Sequence, residues 1–294
     1  LNFSGRNNTT SFRFGTSYFS QGTIYPGDYN YHKITGNLNL NHRSENQKFN
    51  LNLSLNYGVD TNKMVGNVGF NSTTAILPPN APKIFNEDGS LAWEQWERAN
   101  LDNPLKGYFN ESNTQTNNLI SNISLSYEVI QGLQLKANMG YTYYDAGELR
   151  KQPKRSYNPA DENIHSSSHY KTNRTSWIIE PQLIYNTNIN QLTIEALLGT
   201  TFQENKDQME NFQGRGYASE ALIGNLAAAE SIVNARTENN DYRYSAIFSR
   251  LGFHWDKKYF LNLTGRRDGS SRFGPSNRFA NFGAIGMAWI FTEE

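Results

Sequence analysis

Cysteine is absent from the sequence, which excludes disulfide bonds, thiolate nucleophiles and cysteine-ligated metal centres. The chain also lacks any run of the roughly 18 to 20 consecutive apolar residues that a membrane-spanning helix requires. A net charge is missing too, because 27 Lys and Arg residues balance 27 Asp and Glu residues. This balance gives no electrostatic argument for nucleic-acid binding, and we expect no nucleic acid among the partners.

Aromatic residues, by contrast, are abundant for so polar a chain. Only 37% of the residues are hydrophobic and the mean hydropathy is -0.70, yet the sequence holds 17 Tyr, 17 Phe and 5 Trp. A disordered chain of low hydropathy is normally poor in aromatic rings, because it has no interior in which to bury them. The composition therefore predicts an ordered protein rich in β-strands.

Apolar and polar residues alternate along much of the chain. The clearest run is 49–57, in which Phe, Leu and Tyr alternate with Asn and Ser, and the runs 123–127 and 133–143 repeat the pattern. Successive side chains of a β-strand point to opposite faces, so each run predicts a strand with one apolar face and one amide- and hydroxyl-rich face. We count about eleven such strands, near 1–6, 10–20, 33–42, 48–58, 115–128, 132–144, 174–187, 191–203, 240–255, 258–267 and 279–291.

The connections between these strands alternate between short and long. Short connections fall at 7–9, 43–47, 129–131, 188–190 and 256–257, and long ones at about 21–32, 59–114, 145–173, 204–239 and 268–278. An up-and-down barrel in a membrane has this pattern, because its tight turns lie on the periplasmic side and its long loops lie on the exterior side. The sequence therefore predicts an all-β fold, with about eleven antiparallel strands that form part of an up-and-down transmembrane β-barrel.

The predicted strand count is odd, whereas bacterial single-chain barrels have even numbers of strands. An unclosed barrel would expose unpaired backbone groups to lipid, at a cost of several kcal/mol each. We therefore expect residues 1–294 to form a partial barrel domain, with further strands in a longer parent protein. No signal peptide precedes Leu1, and we interpret both ends of the sequence as cuts within that parent.

A motif near the end of the sequence makes this expectation more specific. The segment 266–294 reads RRDGSSRFGPSNRFANFGAIGMAWIFTEE and resembles the hallmark barrel segment of the SusC-like (RagA-like) TonB-dependent outer-membrane transporters. The matching residues are Arg266, Arg267, Asp268, Gly269, Ser270, Ser271, Arg272, Phe273, Gly274, Asn277 and Arg278, followed by Ala288, Trp289 and Phe291. Two further stretches, 15–42 and 77–93, also resemble the family, and the resemblance runs along essentially the whole chain.

The resemblance implies a barrel of about 22 strands around a plug domain, in the outer membrane of a Gram-negative member of the Bacteroidetes. It also implies active import of nutrients, either oligosaccharides or peptides, with energy supplied through TonB and with a SusD-like lipoprotein over the exterior face. This chain would supply barrel wall in contact with membrane lipid, together with exterior loops. The plug, the TonB-contacting segment and the C-terminal strands would lie outside it.

Two groups of residues are candidates for a role. One group is the set of aromatic residues in the predicted loop 59–114: Trp93, Trp96, Tyr108 and Phe109. Flat rings in an exterior loop would stack on a substrate or a partner, or would instead fold the loop back onto itself. The other group is the hallmark segment 266–278. There we favour a structural role, in which guanidinium groups hold carboxylates or carbonyl groups and fix a loop or the barrel wall.

Two alternative functions remain open from the sequence. A passive porin would have an equally polar interior without a plug or a lid. A soluble β-sandwich, acting as an adhesin or a carbohydrate-binding module, would bury the apolar faces between two sheets. No nucleophile, metal cluster or acid pair stands out, so we expect no enzyme activity, no metal and no cofactor.

Overall fold

The computed structural model describes residues 1–25, 27–66, 77–160, 162 and 164–293. These residues form one antiparallel sheet of eleven strands, in which each strand pairs with its neighbours in the sequence. The predicted all-β, up-and-down fold is confirmed. The strands are β1 (Asn2–Arg6), β2 (Thr10–Gly22), β3 (Asn30–Arg43), β4 (Phe49–Val65), β5 (Glu111–Ile130), β6 (Leu133–Gln152), β7 (Ser166–Ile189), β8 (Leu192–Arg215), β9 (Ser231–Trp255), β10 (Tyr259–Ser270) and β11 (Phe279–Trp289).

The register of the strands aligns the apolar positions into continuous rows on one face of the sheet. One such row crosses strands β2 to β8 through directly opposed residues: Phe12, Leu40, Leu53, Ile123, Met139, Ile179 and Phe202. A polar row lies beside it on the opposite face and runs from β2 to β7: Ser11, Asn41, Asn52, Ser124, Asn138 and Glu180. We call these two surfaces the apolar face and the polar face.

The apolar face is open to its surroundings. Phe12, Ile179 and Phe202 are 44%, 40% and 46% exposed. Every strand of the described chain belongs to the same sheet, so no second sheet covers these side chains. This arrangement contradicts the β-sandwich alternative, which requires the apolar rows to be buried between two layers.

Helical structure is confined to the connections. The α-helix α1 (Glu94–Arg98) lies between β4 and β5, and the other helical segments are single 3₁₀ turns of three residues each. No helix within the described residues is long and apolar enough to cross a membrane. In the described part of the chain, the strands of the sheet are therefore the only long secondary-structure elements.

The three largest loops are shorter than the sequence predicts. The predicted bounds 59–114, 145–173 and 204–239 are wrong, because the flanking strands leave only residues 66–110, 153–165 and 216–230 as connections. Strand pairing is a property of the backbone, so the ladder continues where both faces have become polar and the alternation has ended. Residues 67–76, 161 and 163 of the predicted loops lie outside the described residues.

The short turns lie at the end of the strands opposite to these loops, and their conformations follow the local chemistry of the sequence. Asp256 and Lys257 both have positive φ, 51° and 55°, which is the geometry of a tight turn that matches the twist of a hairpin. Asn190 also has a positive φ of 54° in the connection between β7 and β8. All short connections thus lie at one end of the strands, and all long connections lie at the opposite end.

Candidate functional site

The connection between β4 and β5 has a small core of its own. Leu91, Trp96 and Leu105 are 2%, 2% and 7% exposed. Asn103 is fully buried among them, and its side-chain amide donates to the carbonyl oxygens of Ile84 at 2.8 Å and of Ala92 at 2.7 Å. The Asn103 Oδ1 atom accepts from the backbone N–H of Leu105 at 2.9 Å. One amide thus replaces the backbone pairing that an irregular segment lacks.

Burial removes Trp96 from the predicted substrate-binding set. Its ring is 2% exposed, and Nε1 donates to the Lys83 carbonyl at 2.9 Å. Trp96 therefore folds the loop onto itself, which is the second of the two roles open from the sequence. The sequence does not predict which tryptophan is buried, because Trp93 and Trp96 are each followed by a polar residue. The core of this loop is built from contacts within an irregular segment.

The other three aromatic residues of the set stay partly exposed. Tyr108 and Phe109 pack edge to face with ring centroids 5.4 Å apart, and Phe85 packs on Tyr108 at 6.4 Å. Trp93 is half-buried at the first position before α1. The structure therefore brings Tyr108 and Phe109 together, and places Trp93 at the start of the helix.

Arg155, which the sequence did not single out, joins three long connections. Its guanidinium carbon lies 4.4 Å from the centre of the Phe109 ring, and Nε lies 3.2 Å from Glu220 Oε2. Arg155 belongs to the connection after β6, Phe109 to the one after β4, and Glu220 to the one after β8. Tyr29, in the connection after β2, is subject to the same charges: burial, followed by the nearby charge of Glu111, raises the pKa of its hydroxyl, whereas Arg155 lowers it.

The connection after β8 is also tied down to β7. The Tyr217 hydroxyl lies 2.7 Å from Ser167 Oγ, and both residues are buried, at 4% and 0% exposure. Ser167 Oγ lies 3.0 Å from Nε2 of His169, two positions further along β7. The end of the sheet that carries the long connections is therefore an ordered surface, built from several connections that brace one another.

A charged cleft of about 540 Å³ lies on the sheet just below these connections. Arg150 Nε donates to Glu148 at 2.6 Å, and Ser112 Oγ donates to the same carboxylate at 2.7 Å. The Arg150 guanidinium also lies 5.1 Å from the centre of the Tyr170 ring. A fixed carboxylate and a guanidinium in one cleft, with the Tyr170 ring behind the guanidinium, can bind polar groups of a ligand by hydrogen bonds.

The hallmark segment divides its side chains between the two faces of the sheet. On the polar face, Arg266 Nε donates to Asp268 at 2.5 Å, and a second guanidinium nitrogen donates to the Tyr244 hydroxyl. The Arg266 guanidinium lies 5.4 Å from the centre of the Phe248 ring. Phe248 lies directly opposite Gly199, which has no side chain and so leaves room for the ring.

The apolar face carries a second arginine, phenylalanine and glycine in the same arrangement, one residue further along β10. Arg267 lies 5.0 Å from the centre of the Phe279 ring, and Phe279 lies directly opposite Gly269. A Cβ atom on Gly269 would come within 2.6 Å of that ring, so glycine is required for the ring to lie across the strand. Arg266 and Arg267 are thus each stacked on a phenylalanine that covers a glycine, which stiffens the sheet at a position of weak strand propensity.

The remaining hallmark residues close the connection between β10 and β11. The Ser271 N–H donates to the Arg243 carbonyl at 2.9 Å, and the Arg243 N–H donates to Ser271 Oγ at 2.9 Å. The Ser270 N–H donates to the Arg278 carbonyl at 2.9 Å. The Arg272 guanidinium lies 4.6 Å from the centre of the Tyr242 ring. These contacts join the connection to β9 and to the end of β10.

The fold and the two faces together define a class of protein. A sheet of eleven sequential antiparallel strands, with an exposed apolar face, a polar opposite face and all long connections at one edge, is part of the wall of a transmembrane β-barrel. No family model matches the sequence.

Curated relatives show which barrel proteins the chain resembles. The chain is 24% identical to TonB-dependent receptor P26 of Formosa agariphila and 26% identical to TonB-dependent receptor P39 of the same organism, in both cases over the whole chain. It is 23% identical over 90% of its length to TonB-dependent receptor SusC of Bacteroides thetaiotaomicron. The chain spans 28 to 30% of the length of these relatives. The predicted resemblance to SusC-like TonB-dependent transporters is confirmed.

Solved structures agree on the fold. The structure of the RagAB peptide transporter matches the whole chain with a TM-score of 0.79 at 21% identity, and the chain covers 34% of the matched RagAB chain. The 'closed-closed' state of the RagAB peptide importer matches with a TM-score of 0.78 at 22% identity. The relatives and structures are receptors and transporters by name, in accord with the expectation of a protein that is not an enzyme.

Proposed function

We propose that this chain is part of the wall of a plugged outer-membrane barrel that imports nutrients with energy supplied through TonB. Residues 1–294 form a partial barrel domain, with the plug and the further strands supplied by a longer protein. The exposed apolar rows of the sheet carry this proposal. One of these rows crosses seven strands without interruption from Phe12 to Phe202, and lipid is the environment that such a surface requires.

The two edges of the sheet support the same proposal. Among the described residues, β1 pairs with β2 only, and β11 pairs with β10 only. An unpaired edge in hydrocarbon leaves backbone N–H and C=O groups without hydrogen bonds, at a cost of several kcal/mol for each group. Strands from the rest of a barrel of about 22 strands would satisfy both edges.

The substrate belongs to the class of oligosaccharides or peptides, and it enters past the exterior connections. Three of the predicted residues are accessible to it, namely Trp93, Tyr108 and Phe109. The cleft with Glu148 and Arg150 offers hydrogen bonds further in. The braced connections around Arg155 provide a fixed rim on which a SusD-like lipoprotein can close.

Uptake by intact cells tests the proposal. Cells that carry the full-length protein are supplied with fluorescent oligosaccharides and fluorescent peptides, with and without TonB. We expect one of the two substrate classes to accumulate in the periplasm only when TonB is present. Accumulation that is independent of TonB would support a passive porin and would contradict active import.

Substitutions test the aromatic residues. The variants Tyr108→Ala and Phe109→Ala are expected to lower the substrate affinity, whereas Phe273→Ala, in the β10–β11 connection, serves as a control.

A further inference from the structure

The exterior boundary of the apolar face can be located from the register. One cross-strand row contains Tyr141, Trp177, Glu204 and Arg243, and it is the first row in which charged side chains appear on the apolar face of β8 and β9. On β10 and β11, Phe279 lies one row of the same face closer to the middle of the strands than Glu204 and Arg243, and Arg267 lies two rows closer. Aromatic rings followed by charges mark the level at which hydrocarbon gives way to lipid headgroups.

A cleft of about 560 Å³ opens on the apolar face at this boundary. Its walls include the rings of Trp177, Phe202 and Phe279, and its charged lining residues are Glu204, Arg243 and Arg278. Phe279 is 60% exposed and Phe202 is 46% exposed, so both rings face outward. The cleft is therefore amphipathic, apolar toward the centre of the strands and charged toward the exterior connections.

Positive charge exceeds negative charge around the cleft. Glu204 is already paired, with Arg243 Nε at 2.8 Å and with Lys206 Nζ at 3.3 Å. Arg267 and Arg278 are exposed, and neither takes part in any ion pair of the described residues. Arg267 is instead stacked on the ring of Phe279. Arg278 thus lines the cleft and Arg267 lies next to it against the Phe279 ring, and neither has a protein carboxylate to neutralise it.

From this combination we infer that the cleft binds an anionic lipid of the exterior leaflet, with its phosphate held by Arg267 and Arg278 and its acyl chain lying along Phe202. The inference rests on the proposed membrane placement of the sheet. Guanidinium groups bind phosphate oxygens bidentately, and aromatic rings and Arg278 line the same cleft, so one lipid molecule can contact both. The hallmark segment then has two roles: Arg266 braces the polar face, and Arg267 contacts lipid.

Lipid binding by the full-length protein tests the inference. The purified protein in detergent is titrated with phosphorylated lipid A and with dephosphorylated lipid A, and bound lipid is counted by native mass spectrometry. We expect the double variant Arg267→Gln/Arg278→Gln to bind the phosphorylated lipid at least about tenfold more weakly, because it loses two charge-assisted contacts that solvent partly screens. Binding of the dephosphorylated lipid should not change. Arg250→Gln removes the same charge from the polar face of β9 and should bind as the wild type does.

Several outcomes would overturn the inference. Equal binding of both lipids by the wild type, or unchanged binding by the double variant, would show that the arginines do not select a phosphate. Displacement of the lipid by inorganic phosphate would indicate a site for a free anion. If the double variant does not assemble, Arg278→Gln alone takes its place in the titration. A wild-type protein that never enters a membrane would instead contradict the proposed function itself.

Discussion

At the scale of single residues, Asn103 is the group on which the connection between β4 and β5 depends most. Asn103→Ala leaves the Ala92 carbonyl oxygen and the buried Leu105 N–H without their side-chain partner, and each costs about 1 to 3 kcal/mol. The Ile84 carbonyl loses one of its two donors and keeps the Ala92 N–H at 2.9 Å. We expect the segment 77–110 to open and to be cut by external protease on intact cells. Asp102→Ala removes an exposed ion pair with Lys106 and should leave the cleavage rate unchanged. Equal resistance of both variants would contradict the role of Asn103.

Gly269 is the second residue with a specific requirement, and β10 provides its own control. Gly269→Ala forces the Phe279 ring off the strand, so we expect a loss of about 1 to 3 kcal/mol, typical of overpacking. In Gly265→Ala the new Cβ meets only Ser249 Oγ at 3.6 Å, an ordinary contact, and stability should be maintained or slightly raised. Urea unfolding of the full-length protein in detergent compares the two midpoints. Equal midpoints would rule out a stacked role for Phe279.

At the scale of elements, Arg155 connects loops that are distant in sequence. Arg155→Ala removes both the contact with the Phe109 ring and the ion pair with Glu220. We expect faster hydrogen exchange in 77–110 and in 216–230 together, because the two segments lose their shared neighbour. Arg98→Ala breaks an exposed pair within α1 and should affect neither segment. Faster exchange in only one of the two segments would mean that Arg155 does not couple them.

The strands and the loops differ in how well the sequence predicts them. The alternation around Leu53 and Met139 predicts which residues are in strands and which face they occupy, since one face must be uniformly apolar. It does not predict that β7, β8 and β9 reach 24, 24 and 25 residues, because backbone pairing continues without a side-chain pattern. The burial of Trp96 and the position of Arg155 depend on contacts between irregular segments, for which a single sequence holds no periodic signal.

At the scale of the whole molecule, the question is whether the apolar face meets lipid. Leu53 and Asn52 are neighbours in β4, and they lie in the central rows of the apolar face and the polar face. Leu53→Arg places a charge on the lipid-facing side near the middle of the strands, which costs about 2 to 4 kcal/mol in a transmembrane barrel. Asn52→Arg places the same charge on the polar face, where water or polar protein groups can solvate it.

We therefore expect Leu53→Arg to reduce the amount of folded full-length protein in the outer membrane, and Asn52→Arg to leave it nearly unchanged. Heat-modifiable migration of the membrane fraction on gels measures the folded share, because intact barrels migrate differently before and after boiling. A soluble protein would respond in the opposite way, since a charge on an exposed apolar surface improves its solubility. Equal assembly of the two variants would mean that both faces meet water, and the transporter interpretation would then lose its physical basis.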